Sequence, residues 1–335
     1  MSLGFGGVAR FIGGRLVIGI VTIWAISLIS FTIIQLPPGD FVSNYIAQIS
    51  QSGASGSVED AERLRHEYGL DRPLYVRYGR WVWNVLHGNL GASLDWGRPV
   101  KSLIAERIGP TLLVSVGGLL FTWLFAFPIG VYSAVRRGSV GDHVFTSIGM
   151  IGIAVPNFLL ALLVMYVGFR YFNVNVGSLQ SDSFQEQPWS IAKTLDLLEH
   201  LIVPAGVIGL ASSARLIRIL RANLLDELSK PYVVTARAKG MREYAVILKY
   251  PTRVALNPFV STIGSMMPQL LSGSVVVSLV LSLPTIGPLL LRALQAQDMF
   301  LASTIILLLG VLTVIGTLVS DLLLAWLDPR IRLNP

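Results

Sequence analysis

The sequence predicts an all-α, polytopic membrane protein, and its composition is the first reason. Of its 335 residues, 53% are hydrophobic and only 13% are charged, whereas soluble domains carry about 25% charged residues. The second reason is a set of long charge-free runs, because about 18 consecutive apolar residues can cross a bilayer as a helix. A chain this long and this apolar needs several spans and not a single anchor.

Four charge-free runs are each long enough to cross a bilayer, namely Leu16–Gly39, Ile108–Val135, Val144–Phe169 and Met299–Ser320. A further run, Val254–Leu291, is too long for one span and contains prolines 258, 268, 284 and 288. Because proline ends or kinks a helix, we place this span at Val260–Leu283, with a kink at Pro268.

Leu201–Ala214 is a shorter apolar run that contains Pro204, and by itself it is typical of a buried or re-entrant segment. Topology favours a crossing. With six spans and both termini cytoplasmic, the cytoplasmic pieces hold 15 Lys and Arg against five Asp and Glu, and the short outer loops hold only three Lys and Arg. That asymmetry is the positive-inside pattern. We therefore expect this run to cross, lengthened by Arg215–Leu220.

The largest soluble piece is an insertion over residues 40–107, which this topology places outside the cell. A capping box at Ser57 and Asp60 predicts a helix that runs to about Tyr68 and ends at Gly69. A second, amphipathic helix is predicted from Leu74 to about His87. Its aromatic side chains fit either the membrane interface or the end of the transmembrane bundle.

A basic cytoplasmic loop over residues 222–258 has its own helix signals. Ser229 is a predicted N-cap, Pro231 suits the first turn, and Gly240 can end the helix in the left-handed conformation. This gives a helix of about ten residues, or ~15 Å. A second helix is predicted over Arg242–Tyr250, ending at Pro251.

The loop's side chains suit a surface that another protein approaches. Three are small and three are basic: Thr235, Ala236 and Ala238, and Arg237, Lys239 and Arg242. The alternative is an ordinary basic hairpin lying on anionic lipid, and the positional signals alone do not separate the two.

A family resemblance separates them. Val234-Thr235-Ala236, three residues and then Gly240 stand where ATP-binding-cassette importer permeases carry Glu-Ala-Ala, three residues and Gly. Further segments resemble the dipeptide and oligopeptide branch of that family: Pro38-Gly39-Asp40, Tyr68 to Tyr78, Gly88 to Ser93, Gly97 to Val100, Asp321, and Leu327 to Arg330. The resemblance covers almost the whole chain.

The resemblance implies the type I importer transmembrane fold with six transmembrane helices. It also implies a second homologous permease subunit, two ATPase subunits that bind ATP and magnesium, and an extracytoplasmic solute-binding protein. The residues implied to couple to the ATPases are Thr235, Ala236, Arg237, Ala238, Lys239, Gly240 and Arg242. The chain would then be a multi-pass protein of the bacterial inner membrane that forms half of the translocation pathway for an oligosaccharide or oligopeptide.

Two departures from the peptide branch favour an oligosaccharide. Ser278 stands where peptide permeases often place a Glu in the fifth span, and Pro284-Thr285-Ile286-Gly287 replaces Pro-Gly-x-Gly. An uncharged solute needs hydroxyl and amide partners along its path and not a fixed carboxylate.

Polar residues inside the predicted spans are the candidates for the translocation pathway, since burying them in lipid is costly. They are Gln35, Asn157, Gln269, Ser278 and Asp321. Each could equally hydrogen-bond a neighbouring helix, and Asp321 could pair with an arginine at headgroup level.

The chain offers no ATPase chemistry of its own, because a P-loop requires Gly-Lys and the sequence contains no such dipeptide. It has no cysteine, and its four histidines are scattered, which argues against a metal centre. The net charge of +7 is explained by membrane orientation, so nucleic acid has no support. The alternative class is a self-sufficient channel or secondary transporter, and a membrane enzyme comes third.

Overall fold

The computed structural model describes residues 5–36, 41–43, 63, 65–66, 68–172, 176–185, 187–257 and 275–327. Within these ranges the regular structure is helical, apart from one isolated bridge between Ala92 and Pro99. The helices are α1 (Phe5–Ile34), α2 (Leu74–Leu86), α3 (Val100–Val135), α4 (Val140–Ala154), α5 (Asn157–Val167), α6 (Asp182–Gln185), α7 (Ile191–Leu228), α8 (Pro231–Ala238), α9 (Glu243–Lys249), α10 (Ile286–Gln295) and α11 (Met299–Leu327). Residues 251–257 and 275–280 are also helical. The all-α prediction is confirmed.

The chain forms two compact units. The larger unit takes Met1–Gly13, Pro110–Pro284 and Ile315–Pro335, and the smaller unit takes Gly14–Gly109 and Thr285–Val314. The predicted single permease domain over residues 1–335, with an insertion at 40–107 and a coupling loop at 222–258, stays a prediction.

Among the described residues, four helices are long and apolar enough to span a membrane: α1, α3, α7 and α11. Helices α4 and α5 pass the same test only as a pair, bent by 106° where they meet. The third predicted span is therefore not one straight helix, because Pro156 lacks an N–H and holds Val155 in an extended conformation. The fifth predicted span, Val260–Leu283, lies mostly outside the described residues, so the count of six is not confirmed.

The helices extend beyond the apolar runs that predicted them. The fourth span was expected over Leu201–Ala214 with a short extension, whereas α7 has 38 residues and passes through Pro204 without ending. The Ser190 hydroxyl starts α7 by accepting a bond from the Lys193 N–H at 3.2 Å. Charge-free runs mark only the part of a helix that suits lipid, since polar residues continue a helix readily.

Close approach of helices organises the larger unit. A Cβ added at Gly209 of α7 would lie 2.9 Å from the Gly118 carbonyl oxygen of α3. The Thr122 hydroxyl donates to the Gly209 carbonyl at 3.1 Å and to its own helix at Gly118. Small residues and hydroxyls at such contacts are typical of helices that pack within a membrane.

In the smaller unit, α2 packs its aromatic residues on α1. Trp81 is buried and lies with its ring 5.4 Å from that of Phe31. The Tyr78 hydroxyl makes a 2.9 Å hydrogen bond with that of Ser27. Trp83 on the opposite face of α2 is exposed. The amphipathic helix predicted from Leu74 to about His87 is confirmed, and its inner aromatics pack against the bundle.

A buried carboxylate fixes the loop between α2 and α3. Asp298, just before α11, accepts bonds from the Ser93 hydroxyl at 2.5 Å and the Leu94 N–H at 2.8 Å. It also accepts the N–H groups of Asp95 and Leu301. The Asp298 side chain thus joins this loop to the start of α11.

Candidate functional site

The basic hairpin, residues 229–250, is the most complete candidate site in the described part of the chain. Helix α7 ends at Ser229, the chain turns at Lys230, and Pro231 opens α8 in the position where a missing N–H is harmless. Gly240 then takes φ +73°, and α9 begins after Arg242. A non-glycine residue strongly disfavours this left-handed conformation, which is why glycine is found at the turn.

A small apolar core holds the two helices of the hairpin together. Val233 and Val246 are fully buried, Ala236 is 7% exposed, and Met241 and Tyr250 pack against them. The hairpin therefore has its own fixed shape and presents only its outer face.

One ion pair links the two helices at the surface. The Arg237 guanidinium donates to the Glu243 carboxylate from Nη2 at 2.6 Å and from Nε at 3.1 Å. Its hydrogen bonds and charge lower the pKa of Glu243 below the ordinary value. The pair is exposed, so its stabilisation is small and its main effect is on geometry.

A second contact joins the hairpin to the end of α7. The Tyr232 hydroxyl hydrogen-bonds the Glu227 carboxylate. Burial, together with this carboxylate, raises the pKa of Tyr232 to about 12. Tyr232 therefore keeps its proton at neutral pH and remains a donor.

The outer face combines small or apolar side chains with free positive charge. Val234 is 59% exposed and Tyr244 is 62% exposed, while Thr235 and Ala238 complete the outer surface of α8. Lys239 and Arg242 are exposed at the turn. Apolar side chains edged by lysine and arginine suit a groove with an acidic rim in a partner protein.

Three details of the hairpin differ from the sequence-based prediction. Ser229 does not cap α8; it ends α7, where its hydroxyl donates to the Asp226 carbonyl at 2.8 Å. Helix α8 has eight residues, not about ten. Ala236 faces inward, because its side chain is buried with Val233 and Val246 in the apolar core between α8 and α9.

The five predicted pathway residues are distributed over both compact units and the undescribed part of the chain, so their grouping into one pathway stays a prediction. Gln35 belongs to the smaller unit, where its Nε2 donates to the Phe31 carbonyl. Asn157 and Asp321 are half-buried in the larger unit. Ser278 is fully buried there among the apolar side chains of its core. Gln269 lies outside the described residues.

Sequence reasoning did not identify two buried acidic residues, Asp298 and Asp142. Asp298 lies at the start of α11, outside the apolar runs, and the only signal for it was its place in a loop between predicted helices. Asp142 accepts a bidentate pair from Arg221 on α7, which the count of basic residues could not reveal.

Comparisons with known proteins agree with this architecture. Residues 126–333 match the family described as binding-protein-dependent transport system inner membrane component. A putative peptide permease protein of Brucella ovis is 36% identical over 321 residues, covering 96% of this chain and 98% of the relative. The oligopeptide transport system permease protein AppB of Bacillus subtilis is 34% identical, covering 97% and 99%. The dipeptide transport system permease protein DppB of Escherichia coli is 31% identical, covering 96% and 98%.

Proposed function

The chain belongs to the family of binding-protein-dependent transport system inner membrane components, as a permease subunit of an ATP-binding-cassette importer, and we propose that it carries peptides. Its family is one of transporter membrane subunits and not of enzymes, and we propose that partner ATPase subunits supply the energy for import. We propose that it forms half of the pathway and pairs with a second, homologous permease subunit. A solute-binding protein would deliver the peptide from outside the inner membrane.

The basic hairpin is the proposed contact with the ATPases, and its preformed shape is the observation that carries this assignment. A rigid helical pair at the surface transmits movement as a unit, because its internal core and ion pair keep the two helices together. On the exposed face of the hairpin, no described residue pairs with Lys239 or Arg242. Thr235, Arg237, Ala238 and Gly240 belong to this face or its turn, whereas Ala236 supports it from within.

Peptide is favoured over oligosaccharide by two observations. The three relatives named above are all called peptide, oligopeptide or dipeptide permeases. The preference for an oligosaccharide rested on Ser278 and on the segment Pro284-Thr285-Ile286-Gly287, and the Ser278 hydroxyl is fully buried and makes no hydrogen bond to any described residue. A side chain enclosed within one subunit does not contact a solute that passes between two subunits, so Ser278 carries no information about the solute.

Purification and reconstitution test the proposal. The tagged chain, expressed with its genomic neighbours, should copurify with ATPases that carry no tag. In proteoliposomes, ATP hydrolysis should rise when the solute-binding protein and its peptide are added, and labelled peptide should accumulate. Uptake by the isolated chain without ATP would instead indicate a secondary transporter or a channel.

The solute class needs a separate measurement. Calorimetric titration of the cognate solute-binding protein with a peptide library and an oligosaccharide panel should show tight binding of peptides alone. Tight binding of oligosaccharides with no response to peptides would overturn the peptide assignment and leave the importer assignment intact.

A further inference from the structure

A crevice runs between α4 and α7 in the larger unit. Its volume is about 170 Å³, and its walls come from one face of each helix. The two helices run antiparallel here, because Asp142 pairs with Arg221 at one end and Gly149 faces Ala214 at the other. Seven residues separate these points on each helix, so the crevice is about 10 Å long.

The two ends of the crevice differ in chemistry. Arg221 and His143 lie beside Asp142 at one end, and Arg218 stands level with Phe145, nearer to that end than to the other. The other end is lined by Gly149 and Ala214, with Ile217 next to them. A ligand that fits must therefore be anionic at one end and apolar at the other.

The Asp142–Arg221 pair makes the polar end rigid. The Asp142 carboxylate is buried and accepts Arg221 Nε at 2.9 Å and Nη2 at 2.8 Å. It also accepts the Gly138 N–H at 2.9 Å. Two of the five guanidinium N–H groups of Arg221 are used in this way, and the other three have no acceptor among the described residues. Arg221 is thus an oriented donor whose charge is already balanced.

Arg218 supplies the charge that is not balanced. It lies three residues before Arg221 on the same face of α7 and is exposed at the crevice. No described residue forms an ion pair or hydrogen bond with its side chain. Guanidinium groups bind phosphate oxygens well because their N–H groups form a planar fork.

We propose that this crevice binds an anionic phospholipid. The phosphate would pair with Arg218 and accept the remaining N–H groups of Arg221, and an acyl chain would lie along Phe145 and Ile217 towards Gly149. A lipid is favoured over a soluble phosphate because the cationic end continues into an apolar wall. It is favoured over a soluble protein because α7, and α4 with α5, have the length and composition of membrane-crossing helices.

Native mass spectrometry of the delipidated full importer complex, titrated with phosphatidylglycerol, tests the site. Arg218→Gln should lower the affinity of the tightest lipid about fivefold, as expected for one basic residue near a membrane surface. Arg218→Lys should retain most of that affinity. Thr146→Trp, which adds a bulky ring at the apolar wall, should also weaken binding without removing charge. The matched control is Arg253→Gln, which removes an exposed arginine away from the crevice and should leave the affinity unchanged.

Each alternative gives a different result. Equal loss in Arg218→Gln and Arg253→Gln would mean general attraction of lipid to positive charge, and would overturn the site. Equal binding of phosphatidylcholine, which has a phosphate but no net charge, would show that the site does not select anionic lipids and would overturn that part of the proposal. Displacement of the lipid by millimolar inorganic phosphate would assign the crevice to a free anion. Unchanged affinity in both Arg218→Gln and Thr146→Trp would show that the tightest lipid binds elsewhere, and would overturn the site.

Discussion

At Asp298, burial and hydrogen bonding act on one carboxylate in opposite directions. Burial raises its pKa above the ordinary value, although the Ser93 hydroxyl and three backbone N–H groups oppose the shift. The folded state therefore holds this proton more tightly than the unfolded state does. The resulting stabilisation is complete below the ordinary pKa of 3.8 and is lost as the pH rises through the raised pKa.

Substitution of Asp298 tests how firmly the loop is held. Asp298→Ala leaves four donors without an acceptor and should lower the free energy of unfolding by about 3 kcal/mol or more. Asp298→Asn keeps one acceptor oxygen for the three bonds to Oδ2 and loses only the bond from Leu301, so it should cost about 1–2 kcal/mol. Thermal unfolding in detergent measures both, with Ser93→Ala as the milder control. If the two Asp298 variants lower the free energy of unfolding equally, the acceptor oxygen that asparagine retains does not hold the loop.

The Arg237–Glu243 pair has a different role. It is exposed, so it adds little stability, and it sets the position of α8 relative to α9. Arg237→Glu should leave the unfolding temperature unchanged but should lower peptide-stimulated ATP hydrolysis, since like charges push α8 and α9 apart. The double variant with Glu243→Arg should restore hydrolysis. Because Arg237 lowers the pKa of Glu243, the pair persists through neutral pH and is lost only as the pH falls through that lowered value. Failure of the double variant to recover would exclude a geometric role.

At the scale of elements, the basic hairpin shows that local sequence patterns predict where a helix begins and ends but not which of its faces is buried. Pro231 and Gly240 carry strong conformational preferences, so both ends of α8 were nearly located from the sequence. The side of α8 that faces the core was not predictable, because Thr235, Ala236 and Ala238 are all small. Only the packing of α9 against α8 selects Ala236 for burial. For the pathway residues, no local sequence pattern determines which helix face they occupy, so their arrangement was not predicted.

Substitutions at two alanines of α8 distinguish the folding of the hairpin from its docking to the ATPases. Ala236→Glu buries a carboxylate beside Val233 and Val246, which is strongly unfavourable, and should open the hairpin. Ala238→Glu is exposed and should keep the hairpin closed while weakening the association of the ATPases. Limited trypsin digestion at the basic residues of the turn measures opening, and copurification measures docking. Rapid cleavage in Ala238→Glu, or slow cleavage in Ala236→Glu, would contradict the inward position of residue 236.

For the whole molecule, the direction in which α7 crosses depends on the bent pair α4–α5. If that pair crosses the membrane, α7 starts outside and the nine lysines and arginines of residues 215–253 lie in the cytoplasm. If it is re-entrant, α7 starts inside and this charge lies outside, against the positive-inside pattern. The bend of 106° is compatible with either path, and charge distribution favours a crossing.

Single cysteines can decide between these paths, because the chain has none of its own. Lys101→Cys lies in the first turn of α3 and Arg137→Cys lies just after its end; the 36 residues of α3 are about 54 Å long and exceed the ~30 Å core of a bilayer. In whole cells, an impermeant thiol reagent should label residue 101 and not residue 137. Tyr171→Cys, at an exposed position after α5, should then be labelled from outside as residue 101 is. A permeant reagent should label all three and confirms that each is accessible. Labelling of residue 171 only after the cells are opened would make the pair re-entrant and would place the basic hairpin outside, away from any cytoplasmic ATPase.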